Sequence, residues 1–179
     1  LVAISQVVLF SIIVIAVGLS WSFLNNNFGS ENAVALRALE KLGARTQSYK
    51  DHITVTFSGT HTYNPDIDAG LVHCSKVANL TGLYLYGKTI SDAGLVHLQG
   101  LTKLNYLRIT GNARITNAEL QNLAGLVNLS SLSLSLTSVT AEGLAKLRGL
   151  SNLSRLNLHR CYVTDAAVEH LKHLKNLRI

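Results

Sequence analysis

Gly82, Gly87, Lys88 and Thr89 stand at the spacing G-x-x-x-x-G-K-[ST], the pattern of a loop whose backbone cradles phosphate. Such a loop needs flexible backbone between its glycines. Here the intervening Leu83, Tyr84, Leu85 and Tyr86 alternate as a strand does, with both leucines directed into a core. The match is therefore read as a strand and not as a nucleotide site. His170 and His173 lie three residues apart on one helical face beside Glu169, which is half of a metal site. No second pair with ligand spacing completes it. Cys74 and Cys161 are the two cysteines, too far apart along the chain's pattern for a disulfide, which needs Cα atoms within about 7 Å. The chain has no G-x-S-x-G, H-E-x-x-H or C-x-x-C, and no spacing of serine, histidine and aspartate that makes a triad. No catalytic residue, cofactor or metal is assigned, and the chain is read as non-enzymatic.

The elements behind these residues repeat. Leu80-Thr-Gly-Leu83-Tyr-Leu85, Leu104-Asn-Tyr-Leu107-Arg-Ile109, Leu129-Ser-Ser-Leu132-Ser-Leu134 and Leu153-Ser-Arg-Leu156-Asn-Leu158 begin 24, 25 and 24 residues apart, and Leu177 follows after 24 more. Each is followed by Ile90, Ile115, Val139 or Val163, then by a leucine pair such as Leu95/Leu98 or Leu144/Leu147. An earlier, divergent copy runs from Val55 through Phe57 to Leu71, with extra residues around His61 to Pro65 that predict a protruding loop. The alternating part predicts a short strand with one buried face. Ser91-Asp92, Thr116-Asn117, Thr140-Ala141-Glu142 and Thr164-Asp165 predict helix starts, and Thr116 with Glu119 spells a capping box. Asp92, Glu119, Glu142 and Asp165 fall in first helical turns and Lys146 and Arg148 near a helix end, where the helix dipole favours each sign. One strand–turn–helix unit cannot bury its own leucines, whereas a stack can. At about 1.5–3 kcal/mol per buried leucine, the stack offsets the chain entropy it orders.

Nearly half of the 179 residues are apolar, which excludes intrinsic disorder, and two cysteines exclude a disulfide-dense scaffold. The pattern still runs at Ile179 and the chain opens on Leu1 without a methionine, so it reads as a piece of a longer protein. Residues 1–24 carry no charge and end near Trp21, which fits a transmembrane signal anchor. A signal peptide cleaved after Gly18 fits as well. Residues 25–51 read as a linker and an N-terminal capping helix, with Ser30 as its cap, Ala33, Leu36, Leu39 and Leu42 on its apolar face, and Gly43 as a left-handed stop. Residues 52–179 are the repeats.

These motifs resemble leucine-rich repeat proteins, and in particular a bacterial subfamily with Leu-x-x-Leu-x-Leu strands and Thr/Ser-Asp-Ala-Gly-Leu helix starts, whose members often sit behind an N-terminal hydrophobic anchor. The resemblance implies an α/β solenoid: a curved parallel sheet on the concave side and short helices on the convex side, here preceded by a hydrophobic helix. It also implies that Thr60, Asn112, Thr137 and Cys161 turn inward to bond neighbouring backbone. The sequons at Asn79, Asn128 and Asn152 share one repeat position and follow from the repeat itself.

Concave positions are Thr54, Thr56 and Ser58, then Tyr84 and Tyr86, then Tyr106, Arg108 and Thr110, then Ser131, Ser133 and Ser135, then Arg155, Asn157 and His159, with Arg160 at the rim. None is acidic. Tyr84, Tyr86, Tyr106, Arg108, Arg155, Asn157 and His159 are the candidate ligand-binding residues, since tyrosine and arginine concentrate binding energy. The function expected is macromolecule binding, with a protein or another partner that presents an acidic or anionic surface. Residues 1–24 would hold the membrane as a single pass with the repeats on the extracytoplasmic side, or the chain would be secreted. A modest basic excess and export argue against nucleic acid. The alternatives are a passive structural solenoid, or the recognition domain of a larger enzyme or signalling protein. Ser133 is expected to face solvent and Leu132 the core.

Overall fold

The computed structural model describes residues 30–58, 64–87 and 89–178. The anchor or signal segment 1–24, the stretch 25–29, the loop at 59–63, Lys88 and Ile179 lie outside the described residues, as does the capping side chain of Ser30. No helix among the described residues is long and apolar enough to cross a membrane.

The chain enters through helix α1, Ser30–Lys41. Ala33, Leu36 and Leu39 fall on one face at helical spacing and are buried. Gly43 ends the helix with φ +89°, a conformation that needs no Cβ, while its N–H and that of Ala44 donate to the carbonyls of Glu40 and Leu39. Strand β1, Arg45–Tyr49, then pairs antiparallel with β2, His52–Ser58, around a two-residue turn in which Lys50 takes φ +53°. The sequence does not announce β1. Its residues are almost all exposed, so no apolar alternation marks it, and backbone pairing alone holds it. It covers the edge of β2 that would otherwise template another chain.

From β2 the sheet continues in parallel through β3, Leu80–Tyr86, β4, Tyr106–Thr110, β5, Ser131–Ser133, and β6, Arg155–Asn157, so that spatial order equals chain order. The register stacks like on like. Val55, Leu83, Leu107, Leu132 and Leu156 form one line across the sheet, and Phe57, Leu85 and Ile109 another. Leu83 and Leu85 are fully buried, as the strand reading of the glycine–lysine motif requires. Ile90, Ile115 and Val139 close the same core, and Cys74 fills the place that Leu98 takes one repeat later. Burial pushes the Cys74 thiol up to about 12. At the other end Leu156, Leu158, Val163, Leu171 and Leu177 are only partly covered.

The return paths carry very short helices: α2, Pro65–Gly70, α3, Asp92–Leu95, α4, Ala141–Leu144, and α5, Ala166–Leu171. The repeat between α3 and α4 has only a 3-10 turn, Leu120–Leu123. The capping box read at Thr116 and Glu119 does not form. The Thr116 hydroxyl accepts from the Ala118 N–H, and the Glu119 carboxylate accepts from the amides of Gln121 and Asn122.

The helix-start residues have a role beyond the dipole, which four-residue helices can barely build. The Asp68 carboxylate accepts the N–H of Ser91 at 3.0 Å and its hydroxyl at 2.5 Å. Asp92 does the same to Thr116, at 2.9 and 2.5 Å. Asn117 repeats it on Thr140, its oxygen accepting the N–H at 3.0 Å and its amide donating to the hydroxyl at 2.7 Å. Each side chain thus clasps the serine or threonine of the following repeat. The glycine of Asp-Ala-Gly makes room for that clasp. A Cβ on Gly94 would sit 2.4 Å from the Asp68 oxygen, and one on Gly143 would sit 2.2 Å from the Asn117 oxygen. Glu119 stands where these glycines stand, and its repeat is the one that lacks an α-helical turn. Ala141 ends the row, and Ala167, one repeat on, carries a methyl where Gly94 and Gly143 carry none.

A second internal row follows the strands. Asn112, fully buried, accepts from the N–H groups of Thr89 and Ile90 and donates to the carbonyls of Leu85 and Thr110. Thr137 and Cys161 each bond the Leu134 carbonyl, at 2.6 and 2.9 Å. Thr60, expected in the same row, lies outside the described residues. The sequon asparagines Asn128 and Asn152 use their amides in the same manner, donating to the carbonyls of Thr102 and Val127. Just before the internal row, Gly87, Gly111, Leu136 and Arg160 all adopt positive φ, between 56° and 78°.

Candidate sheet-face binding site

The pleat sends alternate residues of β2 to β6 away from the core onto one open face. Arg108 pairs with Tyr84 on one side and Ser133 on the other, while Tyr106 pairs with Gly82 and Ser131. Tyr84, Tyr86, Tyr106 and Arg108 are therefore neighbours on two adjacent strands. The Tyr84 and Tyr86 rings are parallel within 6°, with centroids 6.4 Å apart. The Arg108 guanidinium lies 5.9 Å from the Tyr86 ring centre and donates to its hydroxyl at 3.3 Å. This fixes the orientation of the cation without neutralising it.

Gly82 allows that geometry. A Cβ there would lie 3.2 Å from the Tyr84 ring and 2.9 Å from a Thr54 methyl carbon. Other repeats carry Tyr106, Ser131 and Arg155 at this position. A glycine inside a strand was the available signal of such a close approach. Burial and the adjacent Tyr86 hold the Tyr84 phenol above its ordinary range, with Arg108 pulling the other way. Tyr84 is thus a neutral hydrogen-bonding group at physiological pH.

Arg155, Asn157 and His159 sit apart from this cluster, on or just beyond β6. The register places the serines of β5 between them and β4. The Asn157 side-chain oxygen accepts from the His159 N–H at 2.9 Å. Arg155 and His159 are exposed.

The strip between differs from expectation. Leu132 faces the core, as read. Ser133 and Ser135 point to the sheet face but are only 6% exposed each. Their hydroxyls join that of Thr110 in a cluster spanning 3.2–3.5 Å per link. A hydroxyl is too short to clear the longer side chains of the flanking strands, so an outward serine here is covered by its neighbours. Sequence alternation reports direction, not exposure. Among the described residues, no aspartate or glutamate occupies an outward position of β2 to β6.

No family model matches the chain, and neither does any curated protein. Solved structures do match. A crystal structure of an internalin, InlF, from Listeria monocytogenes superposes with a TM-score of 0.51 at 29% identity, over 60% of this chain and 30% of that one. A sheet that is parallel from β2 to β6, with stacked leucine lines and helices on the return paths, decides the fold together with that match. The chain is a leucine-rich repeat protein. As a leucine-rich repeat protein it carries its candidate site on the sheet, and the Tyr84–Tyr86–Arg108 contacts are the most organised feature of that face.

Proposed function

We propose that this leucine-rich repeat protein is a non-enzymatic recognition module whose sheet face, concave in the expected solenoid, binds a protein or other macromolecule with an acidic surface. The observation that supports this reading is the pairing of an ordered aromatic–arginine cluster with a face free of acids. Tyrosine rings supply area to bury, and Arg108, already held by Tyr86, loses little freedom on binding. Arg155 and His159 extend the positive potential across the serine strip, where they set orientation and association rate. The uncharged run 1–24 supports export, either as a single-pass membrane protein with its repeats outside or as a secreted protein.

The test uses the full chain in a non-ionic detergent as bait for cell-envelope proteins, with partners identified by mass spectrometry and affinities measured on purified partners. Tyr86→Ala/Arg108→Ala should lose them, and binding should weaken as salt rises. His97→Ala/Gln99→Ala, on the helix side, should retain them. Retention by both variants, or loss only by the second, removes the sheet face as the binding site. Capture of nothing by the wild type favours a passive solenoid.

A further inference from the structure

The chain's net charge is not spread along it. Residues 144–179 hold seven lysines and arginines against two acids, a surplus of five out of the whole chain's six. Part of this charge is spent locally. Lys146 donates to two carbonyls and to Gln121. Arg155 lies on the sheet face and Arg160 at the bend beyond β6, and the other four, Arg148, Lys172, Lys175 and Arg178, fall on the rim where each helix returns to the next strand. Lys172 stands one 24-residue step after Arg148, so the two share one corner of successive turns. Arg148 bonds the His170 ring at 3.2 Å, which draws the same two turns together. His173, Lys175 and Arg178 follow on the segment leading out of α5, and the Arg178 N–H donates to the Ser154 carbonyl. All except the half-covered His170 are exposed. Further back on the same rim are Lys76 and Lys103, the latter bonded to Asn79.

Most acids lie elsewhere. Asp68, Asp92, Glu142 and Asp165 belong to the opposite corner, where helices begin. Two acids reach the basic rim: Glu31, which lines a pocket with His73 and Lys76, and Glu169, in an ion pair with Lys172 in which both side chains are more than 60% exposed. Such a pair is weak, and a ligand anion can displace it.

We propose that this helix-end rim is a second binding surface, distinct from the sheet face, and that it takes a linear acidic polysaccharide. Successive turns of a parallel stack are about 4.8 Å apart, so Arg148 and Lys172 follow one another along the solenoid axis, with Lys103 two turns further back, which suits a chain of spaced anionic groups. A single-stranded nucleic acid needs aromatic platforms, and none of the described tyrosines lies on this rim. Duplex readout needs an element that enters a groove, and this rim projects none. A bilayer surface favours large apolar or aromatic side chains inserted beside the cations, and here the exposed apolar neighbours are two valines, Val127 and Val168.

The experiment measures binding of the full chain, in non-ionic detergent, to a heparin oligosaccharide by titration calorimetry at several salt concentrations. Arg148→Ser/Lys172→Ser/Lys175→Ser should weaken binding about tenfold or more and flatten its salt dependence, because fewer counterions are released. Lys41→Ser/Arg45→Ser/Lys50→Ser, an equal charge change at the other end, should bind as wild type. Failure of the wild type to bind at low salt overturns the proposal. So does equal loss in both triple variants, which would mean net charge alone. Tighter, rim-dependent binding to a DNA duplex or to anionic lipid vesicles overturns the choice of polysaccharide. None of these results depends on the sheet-face partner.

Discussion

The clasp row on the helix side and the open sheet face are built from the same repeats and behave oppositely. In the row, every polar side chain is spoken for by the next repeat. Asp68, Asp92 and Asn117 each satisfy both an N–H and a hydroxyl 23 or 24 residues on. On the sheet face, Arg155 and His159 are exposed, and the Arg108 guanidinium lies against Tyr86 with no acid beside it on that face. A polar group that is consumed holds the stack together, and one that is left over is available to a partner. Polarity itself does not separate the two roles, since asparagine, serine and threonine occur in both settings.

The largest effect should come from the layer that both regions rest on. Leu132→Asp places an unpaired charge in a core position that is 1% exposed, at several kcal/mol. Chemical denaturation should show loss of cooperative folding. Ser133→Asp, its neighbour on the face, should cost about 1–3 kcal/mol because it breaks the covered hydroxyl cluster. If it proved free of cost, the burial of that strip would be wrong.

Within the row, Asp92→Ala strips Thr116 of two partners and should cost about 1.5–3 kcal/mol, the range for hydrogen bonds to a charged group. Asp92→Asn should recover much of this, since Asn117 performs the same clasp. A loss in Asp92→Asn as large as in Asp92→Ala would mean that charge, not clasping, is what matters. The row can also be extended. Ala141→Asp with Ala167→Gly recreates the missing clasp on Thr164 and clears the methyl in its way, and should raise stability by about 1 kcal/mol. Ala141→Asp alone should gain less, since Asp92 clasps Thr116 even beside Glu119.

On the face, Arg108→Ala should change stability by less than about 0.5 kcal/mol, as for most exposed sites. A larger loss would assign Arg108 to structure. The smallest effect at neutral pH is titration of Cys74. Its folded thiol is held near 12 while the unfolded thiol ionises near 9. The folded state therefore binds that proton more tightly. Its contribution is complete below about pH 9 and fades as pH rises toward 12. At pH 8 a thiol reagent should modify Cys161 in native protein and reach Cys74 only on unfolding.

The leucine lines were legible because a period of 24 or 25 residues repeats both the apolar alternation and the residues that punctuate it. The strand directions of Tyr84, Arg108 and Arg155 followed from the same alternation. The clasps were not legible, because Asp92 and Thr116 each look locally like a helix start. Only stacking turns the pair into one contact across 24 residues. The β1 strand escaped for the reverse reason, having no buried face to leave a pattern. The covered serines and the space over Gly82 depend on the sizes of neighbours on other strands, which no single strand's sequence contains.

The bends after each strand set a direction for assembly. Gly87 and Gly111 take their positive φ freely, but Leu136 and Arg160 take the same conformation with a side chain, at about 1–2 kcal/mol each. The α1 helix and the β1 hairpin cover the opposite end. Ordering should therefore nucleate in the glycine-bent turns and advance toward β6. Hydrogen exchange should reveal the reverse sequence, with amides beyond Leu136 opening first and those of β2 to β4 last. The turns around Leu136 and Arg160, which adjoin the greatest positive charge, would then open before those of β2 to β4, so a polyanion seated there would act as a splint for them.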